Sequence, residues 1–435
     1  MRNFLRRIWE DKNGNALIIA GASLPLLIGS AGLATDTIQW SLWKRQLQRT
    51  ADSAAIAGAY QRFQDDGSSA NADAAVSHDI TLNHHTGIAM EAGYPDVTYP
   101  ANETGKTNQV NVVLAVRRPL SFSSMFMRNP PLIRVSARAA TVGSGAEFCV
   151  LSLQNNSKTG LQATGNANIV MDCGMMTNST ATNAAAGQGS SAVTATTLAA
   201  AGGIQQSANW RVSSYQPYSP QLDDPYKDLT PDADDVDDCG SSPPALDVNG
   251  GNSGGSVSGG ACYSSISINS NREYTLRDGT YIVSGGGVNI QGKLNLINAT
   301  IVLTNKDLSA SGPIGSFDMN STGQLNATAP TTGKWAGMAI YQDRRATDNA
   351  PTGNITASAP NKINGSSGNT ITGIVYFPSQ QVTYNGDGTG VATCTQFVAK
   401  RIYWSGNNST NNFTKNCDMY GIRPIVSPLK VRLVA

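Results

Sequence analysis

From Asn15 to Thr35 the chain carries no charged residue, and Arg2, Arg6, Arg7 and Lys12 precede that run. About 20 such residues, rising 1.5 Å each, cross the hydrocarbon core of a bilayer, so the pattern predicts a transmembrane helix over 15–35. Pro25 and the small residues Gly21, Gly29 and Gly32 are tolerated in such a helix. A cleaved signal peptide is the rival reading, with Gly32–Leu33–Ala34 as its cut site. The apolar run is long for that role, however, and helical pattern continues beyond it. An uncleaved anchor is therefore expected. A second helical stretch, opening at Asp36 and running to about Tyr60, places Trp40, Trp43, Leu47, Ala51, Ala54 and Gly58 on one stripe. Read functionally, that stripe is a docking face for another membrane protein; read structurally, it packs on the protein's own sheet. The two tryptophans with Lys44, Arg45 and Arg49 suit the headgroup level.

Residues 70–92 carry a further helical pattern. Alternating or apolar runs at "DVTY", "QVNVVLAVRRPLSF" and "LIRVSARAATV" then predict strands. Two helices on a small antiparallel sheet make an α+β region ending near Gly145. Beyond it, short apolar runs recur among Gly and Asn, as in "GTYIVSGGGVNIQG", "KLNLINATIVLTN" and "CTQFVAKRIYWSG". The 20 residues from Tyr281 to Ile301 match one coil of a parallel β-helix, so residues 146–435 are expected to be an all-β, right-handed solenoid. The alternative is a β-sandwich. Residues 181–203 and 241–261 are low-complexity, and between them lies an aspartate cluster, Asp223 to Asp238. Calcium is one reading of that cluster, but counted from Asp232 there is neither the EF-hand glycine nor the closing Glu. A solvated acidic loop within an insertion at about 181–261 is the expectation.

Composition adds the compartment. Cys149, Cys173, Cys239, Cys262, Cys394 and Cys417 all lie beyond residue 145, and no two form a CxxC pair. An oxidising compartment with three disulfides is the natural reading. Coils stacked about 4.8 Å apart fall within disulfide reach, so neighbours 23–24 residues apart are expected to pair, rung to rung. The cysteines also orient the membrane helix, with the tail 1–14 in the cytoplasm and the body outside it. With 31 basic and 30 acidic residues the net charge is +1, which excludes a whole-chain field for nucleic acid.

Candidate chemistry is sparse. The histidines are His78, His84 and His85, so the β-rich half has no Ser-His-Asp or Cys-His arrangement. His84 and His85 diverge on a helix and make a poor metal pair. Gly105–Lys106–Thr107 ends like a P-loop, but Pro100 stands where the first Gly is required. Asp278, Asp307, Asp318, Asp343, Asp348 and Asp387 are dispersed among turn residues, an unpromising set for acid–base work on polysaccharide. Trp335, Tyr341, Tyr376, Tyr403 and Trp404 could form a sugar-stacking surface or fill a core. No catalytic residue, metal site or cofactor is expected.

The run "DKNGNALIIAGASLPLLIGSAGLATDTIQWSLWKRQLQRTADSAAIAGA" resembles the N-terminus of TadG-like proteins of the tight-adherence (Tad, or Flp) pilus-assembly system. The Gly14–Asn15 start, Leu24–Pro25, Asp36 and the string from Gln46 through Ala51–Asp52 to Gly58 carry the likeness. Pilin-like relatives are cut after a Gly that precedes a Glu at the fifth mature position; here that position is Ile19, which argues against such processing. No D-x-S-x-S metal site of a von Willebrand A-type domain is present. The resemblance implies a pilin-like plan for 36–145 and a non-enzymatic accessory role in pilus assembly. It also implies a single-pass bacterial inner-membrane protein with a periplasmic body and other Tad proteins or pilins as partners. A glycan-binding surface adhesin and a membrane-tethered polysaccharide-cleaving enzyme are the competing readings.

Overall fold

The computed structural model describes residues 12–83, 89–103, 105–142, 146–249, 254–309, 312–364, 368–385, 394–406, 409–413, 417–427 and 430–434. They divide into two compact units, Met1–Ser144 with Leu429–Ala435, and Gly145–Pro428. The second unit is thus inserted into the chain of the first.

In the first unit a single helix, α1, runs from Lys12 to Gln64, 53 residues with Pro25 inside it. At 1.5 Å per residue it is about 80 Å long. A new helix was expected to begin at Asp36, yet the backbone continues straight through that residue. Its carboxylate, the usual signal for a helix start, is engaged by another part of the unit. The second helix, α2 (Ala72–Asn83), is shorter than the expected 70–92. Strands β1 (Asp96–Thr98), β2 (Thr107–Arg117) and β3 (Leu132–Val142) form an antiparallel sheet in that order. Along β3 the alternation is plain: Ile133, Val135, Ala137 and Ala139 are buried. A fourth strand, Lys430–Leu433, pairs antiparallel with β3, Val431 opposite Thr141. The expected solenoid boundary at residue 435 is therefore corrected: the last strand completes this sheet.

The C-terminal half of α1 lies on that sheet through small side chains. Ala51, Ala54, Ala55 and Ala59 are fully buried, with Leu47, Val110, Val112 and Leu114 in the same core. Polar ties fix the crossing: Gln48 Nε2 donates to the Ser136 carbonyl (2.9 Å), and Arg62 Nη1 to the Gln109 carbonyl (2.7 Å). Gly58 marks the closest approach, since a Cβ there would stand 2.7 Å from Val76 Cγ2 and 3.1 Å from Val110 Cγ1. Gly58→Val is expected to destabilise this unit by about 1–3 kcal/mol through overpacking, read as a lower denaturant midpoint. An unchanged midpoint would mean that the helix does not lie this close.

In the second unit parallel pairing dominates, and segments pair with others 17 or more residues away. Tyr281 pairs with Ile301 over the expected 20 residues. Three ladders run through the unit. The first aligns Leu246, Ile266, Val288 and Phe317. The second aligns Ser256, Thr275, Asn295 and Asn326. The third aligns Cys262, Ile282, Val302, Tyr341 and Tyr376. Between the second and third ladders the backbone turns a corner at Asp278 and Asn298, both at positive φ, where Asn298 Nδ2 donates to Asp278 Oδ1 (3.0 Å). Asn and Asp tolerate that left-handed conformation, which is how the Asn-rich texture serves the fold.

The order of the layers is not the order of the sequence. The third ladder continues from Tyr376 to Val398, and Val398 pairs with Leu151. Leu151 pairs with Met176, and Met176 with Ala199. The layers of 245–404 therefore end against the strand Glu147–Ser152, where the unit's chain begins. The exit strand Ile425–Val426 pairs antiparallel with Phe148 and Glu147. Entry and exit lie side by side, as an insertion between two paired strands of another unit requires.

Among the described residues two large hydrophobic clusters result, besides a small one at Ala181, Ala184 and Ala200. Ile301, Phe317, Val375, Phe397, Trp404 and their neighbours fill the space between the ladders. On the outer side of the third ladder, Ile282, Val302, Tyr341, Tyr376, Val398, Leu151 and Met176 form a second cluster, covered by Leu222, Tyr226, Leu229, Val236 and Cys239.

Candidate functional site

Between Ile19 and Thr35 the described side chains of α1 are apolar and mostly uncovered. Ile19, Leu24, Leu26, Leu27, Ile28, Leu33 and Ile38 are all exposed. The helix is long and apolar enough to cross a membrane. A continuous apolar surface of this kind on one helix requires a cover, lipid or protein.

Of the expected docking stripe, Leu47, Ala51 and Ala54 are buried against the unit's own sheet, and Trp43 packs beside them. The packing reading holds for these residues, and they are not available to a partner. Trp40 remains exposed, with Lys44 Nζ 5.1 Å above its ring. Asp36 sits between the apolar and packed halves of α1 and is itself buried. It accepts from the Phe122 N–H (2.9 Å), the Ser123 N–H (2.6 Å) and Ser123 Oγ (2.5 Å). Burial raises its pKa, but these three donors outweigh that and hold it below the usual carboxylate range. The loop after β2 is thereby tied to α1 at the level where the uncovered half begins.

In the second unit, three disulfides join Cys149–Cys173, Cys239–Cys262 and Cys394–Cys417. All three are neighbour pairs, yet the rung-to-rung reason applies to one. Cys149 lies in Glu147–Ser152 and Cys173 just before its parallel partner Gly174–Thr177. Cys239 ends a short 3-10 turn and reaches Cys262 in the strand Ala261–Tyr263; Cys417 precedes a 3-10 turn and reaches Cys394.

Most aspartates of the acidic segment are exposed, as in a solvated loop, but its apolar side chains are not free. It forms a strap across the third ladder, meeting one layer after another. Leu222 exchanges hydrogen bonds with the Asn178 side chain (2.7 and 2.8 Å). Tyr226 Oη donates to Gln396 Oε1 (2.5 Å), and Asp224 accepts from Tyr376 Oη (2.7 Å). Further along, the Leu229 carbonyl accepts from Tyr341 Oη (2.7 Å) and Asp235 from Trp335 Nε1 (2.9 Å). Asp232 caps the helical turn Ala233–Val236, and Lys334 bridges Asp232 and Asp235 at 2.6 and 2.5 Å. Lys306 Nζ then holds the Gly240 carbonyl (2.7 Å). Burial pushes the Tyr226, Tyr341 and Tyr376 hydroxyls well above their usual range, so they serve as neutral donors.

These contacts absorb the residues singled out for sugar stacking: Trp335, Tyr341, Tyr376, Tyr403 and Trp404 are all buried, so they form no exposed platform. Three of the dispersed carboxylates are likewise engaged. Asp343 pairs with Arg345 (2.7 Å), Asp348 with Lys400 (2.8 Å) and with Arg401, and Asp278 with Asn298. Among the described residues no group of three His, Cys, Asp or Glu converges to hold a metal ion. His78 lies on α2. His84, His85, Asp387 and the basic residues Arg2, Arg6 and Arg7 fall outside the described residues.

Compared with known proteins, residues 14–62 match the family model described as a putative Flp pilus-assembly TadE/G-like domain. The match spans 49 of 435 residues and coincides with α1. No curated protein and no solved structure matches the chain.

Proposed function

We propose that the chain is a membrane-anchored structural or accessory component of a Tad-type pilus-assembly apparatus, without enzymatic activity. In this reading residues 15–35 of α1 span the bacterial inner membrane, the tail 1–14 lies in the cytoplasm, and both units stand in the periplasm. The observation that carries it is the coincidence of the TadE/G-like match with one helix that is apolar and mostly uncovered between Ile19 and Thr35 while its second half belongs to a folded core. Three disulfides support the oxidising side of the membrane. We further read the second unit as a right-handed parallel β-helix. Strands that pair with segments a full coil earlier and later support a solenoid; in a barrel, successive strands would pair with one another. Such a body offers rigid surface for assembly. The glycan-adhesin alternative is weakened by the burial of its aromatic candidates.

The test is made in the native envelope. The full chain is expected to resist alkaline extraction and to be cut by protease added to spheroplasts. With a photo-crosslinker at Leu27, it should be trapped on other Tad assembly proteins. Release of the intact chain by alkali, or protection of both units inside spheroplasts, would sink this topology.

A further inference from the structure

The loop between β2 and β3 carries an apolar cluster that no described residue of the first unit covers. Met125, Phe126 and Met127 are 76%, 75% and 49% exposed. Met125 ends a 3-10 turn, Ser123–Met125, whose start is held by Asp36 of α1, and Phe126 and Met127 follow it. The loop's position along α1 is set by Phe122. Its ring lies so close to Gly32 that a Cβ there would meet the ring carbons at 2.3 Å. Phe122 in turn packs edge-on against Phe126, with ring centroids 5.4 Å apart. A second tie comes from Ser121 Oγ, which donates to Gln39 Oε1 (3.1 Å).

These contacts give the loop a depth. Gly32 lies three residues before Thr35, so the Phe122 ring sits about 4.5 Å inside the end of the uncharged run. That is the boundary between acyl chains and headgroups, where monotopic elements bury their apolar residues by about 5–10 Å. Charge agrees with depth. Arg128 follows the cluster and is exposed, and the Arg118 guanidinium lies 5.2 Å from the Trp43 ring. Basic and aromatic side chains at this level suit an anionic lipid surface. Unlike a protein partner, lipid is already present at Gly32 if α1 spans the membrane, and the loop is continuous with that surface.

We propose that the loop Leu120–Asn129 is a second membrane contact, a foot whose Met125, Phe126 and Met127 enter the leaflet on the side of the folded units. The inference rests on the reading of α1 as a membrane span. Together the two contacts constrain the tilt of the first unit, because a single helix alone would leave it free to lean. Asp36 acts as a positioning residue, and Gly32 allows the close approach.

Full-length protein in phosphatidylcholine–phosphatidylglycerol vesicles tests this. All six cysteines are in disulfides, so Phe126→Cys provides one thiol for an NBD label. Met125→Cys serves as a second site should the first disturb the loop, and Ile28→Cys reports the span. At residue 126, lipid carrying a nitroxide near the headgroup should quench emission by about half, while iodide in the water has little effect. The Ile28 label should be quenched by a deeper nitroxide. If Ile28 is quenched but the loop labels answer to iodide alone, the foot is wrong and the anchor stands. If neither site senses lipid, the anchor fails and the foot fails with it. Loop labels shielded from both lipid and iodide would indicate contact with a second copy, and would also overturn the proposal.

Discussion

Asp348→Ala is expected to lower the stability of the second unit by about 3–5 kcal/mol, the usual cost of stranding a buried charge. Arg401 is fully buried in the strand Thr395–Trp404 and makes a two-pronged ion pair with Asp348; its Nη1 is 3.1 Å from Asp348 Oδ2. Beyond Asp348, the acceptors of Arg401 among the described residues are neutral, the Gln154 side chain (3.3 Å) and the Ala350 carbonyl (3.5 Å). Removing the carboxylate therefore leaves a guanidinium in the interior without its counter-charge. The double variant Asp348→Leu with Arg401→Met should recover much of the loss, because exchanging a whole buried pair for apolar residues is often close to neutral. The measurement is the denaturant midpoint of each variant. A single variant within about 0.5 kcal/mol of the parent would show that the pair does not hold the loop 343–356 to the ladders.

The same pair sets an acid dependence. Burial raises the Asp348 pKa, but hydrogen bonds from Arg401, Lys400 and the Ala350 N–H overcome it and leave the pKa below the ordinary value. A carboxyl depressed on folding contributes fully above its unfolded pKa of about 3.9, and that contribution disappears as pH falls through the lower folded value. The parent should therefore lose stability on acidification below about pH 4, and Asp348→Asn should show a shallower loss over the same range. Parallel curves for the two proteins would refute the assignment.

Cys149→Ser with Cys173→Ser is expected to cost the second unit about 3.5 kcal/mol, from the chain-entropy model for a loop of this length. This bridge closes 24 residues and joins the strand where the chain enters the unit to its parallel neighbour. The loss should appear as a lower thermal midpoint. Removing Cys239–Cys262 should act differently. That bridge pins one end of the strap to the third ladder, so its loss should speed hydrogen exchange at 233–240 before it lowers global stability. Peptide mapping without reductant should recover three neighbour pairs. A mixed pairing, such as Cys149 with Cys394, would contradict both arguments.

The residue patterns carried a good deal of this architecture. An uncharged run of 21 residues needs no tertiary information to be seen as a membrane-length helix, because length and the lack of charge are sufficient. Period-two alternation in "LIRVSARAATV" announced β3, since one face of a sheet is buried and the other is wet. The 20-residue step from Tyr281 to Ile301 announced parallel pairing, and cysteine spacing announced neighbour bridges. Asp36 shows where local signals stop. Its residue type suggested a helix start, but the helix runs through it and its carboxylate engages a turn some 87 residues away in sequence.

What remained hidden was set by long-range packing. The Asp-rich segment has the composition of a solvated loop, and nothing local says that Leu222, Tyr226, Leu229 and Val236 cover an apolar ladder face. Nor does a short strand such as Lys430–Leu433 reveal its partner; it belongs to the first unit because β3 offers a free edge there. The layer order has the same origin. Each coil-length segment carries a similar apolar pattern and could stack on several others, so the pattern specifies that layers form and not which are adjacent. Adjacency is set by the tertiary packing, in which Val398 lies against Leu151, the exit strand pairs beside the entry strand, and the strap runs back across the ladders.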